Sequence, residues 1–217
     1  MEKKILKLTG IFFCVLIFSA CKDDYEDHYQ GYGTVNILGE SSYQIKMDDG
    51  YILRPKEAPF PSSELSDSMR LNLEYSVVEI QDSSMDVKIH RAVEILTKPV
   101  LAYETSILDS IGNDQVYKIS GYWIAHGFLN FEFAYAGGYP VVNAKHMINL
   151  LQHTDETEAL SFEFRHNAFG DKREQLYPGV VSFPISHLLD NMPKPIKFKI
   201  KYRDSENSNR TIEFNYQ

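Results

Sequence analysis

The sequence predicts an all-β protein in two parts, a small barrel followed by a seven-stranded β-sandwich. Three observations carry this reading. Aromatic residues make up 13% of the chain, with 14 Tyr and 13 Phe, and such side chains fit the pleated, half-buried surface of a strand. Apolar and polar residues alternate with a period of two in one run after another. Gly, Pro, Asn and Asp separate these runs, where the chain must turn.

The elements follow in order. "GYGTVNIL", from Gly31, reads as the first strand. "YQIKM" and "YILRP" flank Asp48, Asp49 and Gly50, and Asp-Gly between alternating runs is a strong hairpin signal. "APFPSSE" is a Pro-rich loop. "LNLEYSVVEI" and "DVKIHRAVEIL" are two further strands; in the second, Val87, Ile89, Val93 and Ile95 share a face, with Arg91 among them. Five strands in about 70 residues suit a closed barrel. "TKPV" (Thr97 to Val100) marks a boundary, and residues 103–111 form a short helix or an irregular link. Seven runs then follow: "VYKISGYWI", "FLNFEFAY", "AKHMINLLQ", "ALSFEFRH", "VVSFPISHL", "IKFKIKYR" and "RTIEFNYQ", with a turn near His187 to Asn191. Their number and their Gly, Pro, Asn and Asp punctuation suggest two packed sheets.

The front end has a different character. Lys3, Lys4 and Lys7 precede a short apolar run, Ile11 to Phe18, and then Ser19 and Ala20, which is the pattern of an export signal over residues 1–20. The run is short of the roughly 20 apolar residues that span a bilayer. The chain has two cysteines, Cys14 and Cys21, and none after residue 21. A disulfide framework, a CxxC metal site and a thiol nucleophile are therefore excluded from the body. "FSAC" resembles a bacterial lipobox, with Phe18 where leucine is more usual. That resemblance implies acylation of Cys21, and several acyl chains hold a protein stably where one does not. "CKDDYED" resembles the surface-export signal of Bacteroidetes lipoproteins, which assigns Lys22, Asp23 and Asp24 to an address for the outer face of the outer membrane. Residues 21–30 are otherwise a polar, acidic tether.

Without residues 1–20 the chain keeps 19 Lys and Arg against 29 Asp and Glu, a net charge of −10. An acidic chain gains nothing from displacing phosphate counterions, so nucleic acid is excluded as a partner. An acidic surface is also repelled by anionic head groups, so membrane attachment falls to the acyl chains.

"GYGTVNILGESSYQIKMDDGYILRP" resembles the opening of the NigD-like lipoproteins of Bacteroidetes. "GYWIAHGFLNFEF", "FRHNAFGD" and "GVVSFPI" resemble segments of the same family's C-terminal domain, in the same order. The resemblance implies an N-terminal OB-like barrel over residues 31–100 and a C-terminal β-sandwich over 101–217. It also implies a role of bacteriocin-immunity type, and it supplies no catalytic residue.

The sharpest polar constellation is "FRHNAFGD", with Arg165, His166, Asn167 and Asp171. One reading is a ligand-binding corner in which Arg165 offers its fork to a carboxylate or phosphate. The other is a structural corner, with Arg165 paired to Asp171 across the turn and Asn167 bonding loop backbone as an Asx-turn. The structural reading is the better supported. The seven histidines show no HxH or HxxxH spacing, so no metal is expected. "DSENSN" faintly echoes a calcium loop, but a hairpin turn there needs no ion. Trp123 is expected in the core, the "DDG" acids are expected as turn residues, and no cofactor motif is present. The expectation is a non-enzymatic module that binds an unknown protein or glycan. Alternatives are an accessory subunit of an outer-membrane assembly and a glycan-cleaving enzyme, because fold alone does not decide function.

Overall fold

The computed structural model describes residues 27–39, 42–139, 146–154, 159–190 and 192–217. Cys21, Lys22, Asp23 and Asp24 lie outside the described residues.

Five strands close the N-terminal barrel: β1 (His28–Gly39), β2 (Ser42–Met47), β3 (Ile52–Glu57), β4 (Arg70–Gln81) and β5 (Ser84–Glu94). Their order is β1-β2-β3-β5-β4, with β4 returning to β1, so the barrel leaves no unpaired edge. The Asp-Gly turn works as its chemistry requires. Gly50 takes φ 99°, and its N–H reaches the Met47 carbonyl at 3.0 Å. Inward residues of every strand meet in one core, including Val35, Ile45, Leu53, Leu73 and Val87.

Two local readings change. Strand β1 begins at His28, three residues before Gly31, because His28 pairs with Ser76, stacks on His90 and bonds Glu74. The expected shared face of Val87, Ile89, Val93 and Ile95 breaks at His90. The pairing with β4 slips there, from Tyr75↔Ile89 to Glu74↔Arg91. A bulge of one residue inverts the parity of the rest of β5, so Val87 and Ile89 are buried while Val93 is exposed; Ile95, just past the end of the strand, is buried as expected.

The sandwich contains seven long strands: β8 (Lys118–Ala125), β9 (Phe128–Gly137), β10 (Met147–His153), β11 (Leu160–Asn167), β12 (Gln175–Pro184), β13 (Ile196–Arg203) and β14 (Asn209–Tyr216). Two short pieces, β6 (Leu96–Thr97) and β7 (Leu101–Ala102), extend the sheets by parallel pairing. One sheet runs β14-β13-β11-β10-β7 and the other β6-β12-β9-β8. Between them lies an aromatic core, with Phe131 edge-on to Phe164 at 5.0 Å and to Phe183 at 6.1 Å. Helix α1 (Leu108–Ile111) occupies the predicted link, and α2 (Ser186–Leu189) the predicted turn.

The two domains meet through a buried polar joint. Arg70, wholly buried at the start of β4, places Nη1 and Nη2 each 2.6 Å from an oxygen of Asp48. It also donates to Thr34 in the barrel, and to Asn130 and Ser182 in the sandwich. Trp123 Nε1 donates to Asp48 at 2.7 Å, and its ring stacks on Tyr32. Asp48 is therefore more than a turn residue, and Trp123 is half-buried between the domains instead of lying in either core. A buried guanidinium has to satisfy its donors, and here both domains supply the acceptors.

Candidate functional site

At one end of the sandwich, residues 112–117 cross from sheet to sheet as a strap. Asp114 N bonds the His166 carbonyl on β11, Val116 N bonds Arg203 on β13, and Tyr117 N bonds Ala134 on β9. Beneath the strap is a cavity of about 260 Å³, lined by Asp114, Gln115, Tyr117, His166, Arg173 and Leu176, among others. The Gln115 Oε1 atom is buried and has no hydrogen-bond partner.

Strand alternation sorts the residues of the "FRHNAFGD" corner. Glu163, Arg165 and Asn167 share one face of β11, and His166 points to the other. Arg165 Nε lies 3.0 Å from Glu163, and Nη1 donates to the Gly112 carbonyl at 3.1 Å. Asn167 donates to the Ser110 carbonyl, and its Oδ1 accepts from Phe169 N at 2.8 Å. These two residues hold the chain that leads into the strap. The pairing of Arg165 with Asp171 is not present: Asp171 is engaged on the His166 side, where it accepts from Gly138 N at 2.8 Å and Lys172 N at 2.8 Å.

His146 joins this group from the start of β10. Its Nε2 lies 3.1 Å from Asp171 Oδ2, and its Nδ1 lies 2.7 Å from His166 Nε2. The two imidazoles stack at 5.0 Å, and Tyr135 sits 4.5 Å from His146. His166 Nδ1 then reaches the Gln115 carbonyl at 2.9 Å. His166 is 1% exposed, and burial holds its pKa below the usual histidine value against the pull of the Gln115 carbonyl. The Gly138 N–H, followed by His146, holds the Asp171 carboxyl below its ordinary range. Sequence reading missed His146 because 20 residues separate it from His166. The only usable signal was the pairing of the two strands: Ile148 faces His166, which puts His146 on its diagonal.

Four large apolar side chains stand exposed around this end of the sandwich: Tyr117, Tyr139, Phe169 and Leu176, at 50%, 69%, 59% and 45%. Phe169 holds φ 49°, an uncommon setting for an aromatic residue, and Gly170 follows it at φ 76°. Among the described residues no group of three or more His, Cys, Asp or Glu is arranged to hold a metal ion. In the "DSENSN" turn, Asp204 accepts from Glu206 N and Ser208 N at 2.9 Å and pairs with Arg210, so its oxygens serve the turn.

Fold and site together define a two-domain all-β protein, a closed barrel locked to a sandwich that carries a histidine-walled pocket. Residues 99–216 match the NigD-like C-terminal beta sandwich domain, and the chain belongs to this NigD-like family. Among solved structures, a candidate toxin-related protein from Parabacteroides distasonis is similar at 28% identity, with 88% of this chain and 94% of that chain covered and a TM-score of 0.71. A protein of unknown function from Bacteroides vulgatus matches at 21% identity, over 88% and 92% of the two chains, with a TM-score of 0.71. A NigD-like immunity protein from Bacteroides caccae matches at 16% identity, over 87% and 97%, with a TM-score of 0.67. No curated protein matches the chain.

Proposed function

We propose that the protein is a non-enzymatic binding module, lipid-anchored through Cys21 in the outer membrane and facing the cell exterior. Its partner contacts the strap end of the sandwich. The observation that carries this is a partly enclosed cavity with exposed Tyr117 and Leu176 in its lining, exposed Phe169 next to its lining residue Ala168, and exposed Tyr139 close by, its N–H held by Glu174. Exposed apolar side chains scattered singly need no explanation, but a group of them around a cavity marks a contact surface. Aromatic side chains are also the residues that carry most energy in protein interfaces. The buried joint supports the same reading, because it holds the sandwich and its exposed end in one orientation on the barrel. The immunity name of the Bacteroides caccae relative makes a secreted protein one fitting class of partner.

The test is cross-linking on intact cells, followed by mass spectrometry of what is recovered with the protein. The variant Tyr117→Ser/Phe169→Asn/Leu176→Ser keeps the fold, since all three side chains are exposed and Asn tolerates a positive φ. It is expected to reach the surface normally and to lose the cross-linked partner. Full recovery of that partner by the folded variant would move the contact surface elsewhere.

A further inference from the structure

Asp171, His146, His166 and the Gln115 carbonyl form an unbroken row with three gaps, of 3.1, 2.7 and 2.9 Å. Each gap is a hydrogen-bonding distance. In each, lone pair would face lone pair unless a hydrogen lies between. The carboxylate and the carbonyl supply no hydrogen. Two neutral imidazoles supply one each, so a row of three bonds requires one more.

We infer that the His146–His166 pair stores one excess proton, balanced by Asp171, and that release of this proton switches the wall of the pocket between two states. The inference rests on the reading of that pocket as the partner-contact site. Charges reach the pair from every side. Asp114 comes from the strap, where its Oδ2 accepts from Ala168 N. Asp171, Lys172 and Arg173 come from the turn after β11, and Arg173 lines the cavity with His166. Tyr135 on β9 and Tyr177 on β12 close the remaining side, and burial pushes the Tyr135 phenol up, which keeps it neutral. Arg165 and Glu163 face away, on the other side of β11.

With its extra proton the pair, together with Arg173, offsets Asp171 and Asp114. Without it the wall is one charge more negative and one of the three bonds is lost. Burial keeps His166 as the singly protonated member, bonded inward to Gln115. The break therefore falls on either side of His146, between it and Asp171 or between the two rings. An anionic group on the partner is favoured below the transition, because the protonated wall carries the additional positive charge.

Long-range proton–nitrogen correlation spectra of the ¹⁵N-labelled protein count the ring hydrogens directly. At the acid end three of the four ring nitrogens of His146 and His166 are expected to be protonated. On raising the pH the pair should lose one proton, and the amide signals of Ala136, Gly138 and Ala168 should shift with the same midpoint. Asp171→Asn removes the negative charge that balances the extra proton, while its amide oxygen can keep the acceptor position shared by Gly138 N and His146 Nε2. That variant is expected to carry two ring hydrogens throughout and to lose the coupled amide shift. Two ring hydrogens at every pH in the unaltered protein would overturn the inference, as would an Asp171→Asn variant that titrates unchanged. If that variant fails to fold, the count in the unaltered protein decides alone. The Tyr117→Ser/Phe169→Asn/Leu176→Ser variant separates the two readings: persistent partner recovery with it removes the pocket as the contact site, while the proton count stands by itself.

Discussion

Arg70 and Asp48, both of the barrel, form a two-pronged ion pair at the joint between the domains, each nitrogen 2.6 Å from its oxygen. Arg70 is wholly buried, and the Asp48 side chain is 11% exposed. Removing one partner of such a pair leaves an uncompensated charge, at a cost of about 3–5 kcal/mol. Asp48→Ala and Arg70→Ala are each expected to lower the melting temperature by several degrees. The double variant should lose less than the sum, because the residues are coupled. Calorimetry should also resolve two transitions in Asp48→Ala where the unaltered protein shows one, since the same carboxylate holds Trp123. Equal melting of all three variants would remove the joint as a source of stability.

The "FRHNAFGD" corner makes the opposite prediction. Arg165 points from one face of β11, whereas Asp171, in the turn after that strand, is engaged on the other side, and the two share no partner. Arg165→Ala abandons a charge-assisted bond to Gly112 and is expected to lose about 1.5–3 kcal/mol. Asp171→Ala should lose less. In chemical denaturation the double variant should equal the sum of the singles to within about 0.5 kcal/mol. A clear shortfall from additivity would restore the direct pair.

Anchoring tests the front of the chain. Cys21→Ser is expected to release the protein from the membrane fraction or to leave it uncleaved. Replacing Lys22, Asp23 and Asp24 by Ala should abolish antibody labelling of intact cells while total protein persists. A cleaved Cys21→Ser protein that stays in the outer membrane at full yield would show that something other than acyl chains holds it.

Acid stability follows from three carboxylates. Asp86 is held below its ordinary value of 3.8 first by Lys56, Asp171 first by the Gly138 N–H, and Asp204 first by Arg210. In each case the folded protein resists protonation that the unfolded chain accepts. Their contribution is therefore fully present above the unfolded value of about 3.9, and it is lost as pH falls through the lower folded values. Circular dichroism against pH should show stability flat with respect to these groups above about pH 5 and falling below pH 4. Asp204→Asn should make that fall shallower, and an unchanged profile would exclude Asp204 from it.

Much of the fold was legible because its signals are local. Alternation in "YQIKM" and "YILRP" names the faces, and Asp48–Gly50 names the turn between them, whatever lies elsewhere in the chain. The seven long strands of the sandwich are readable for the same reason. The bulge at His90 was not, because nothing in "KIHRAVE" reports that β4 slips by one residue opposite it. In the corner, the residue types correctly marked a dense polar site, and Asn167 bonds loop backbone in the way its type suggests. The partners were wrong for Arg165, since a partner depends on which face of the strand each residue takes after the turn.

The sequence by itself determined the all-β class, the order of the strands and the acidic net charge. Each of these depends on residues within a few positions of one another or on simple sums over the chain. Only the tertiary structure decided that Asp48 locks two domains, that Trp123 lies between them, and that His146 meets His166. Those contacts span 22, 75 and 20 positions. They exist because sheet registers and domain docking bring distant backbones together, and a buried charge or imidazole then takes whichever acceptor the fold has placed within about 3 Å.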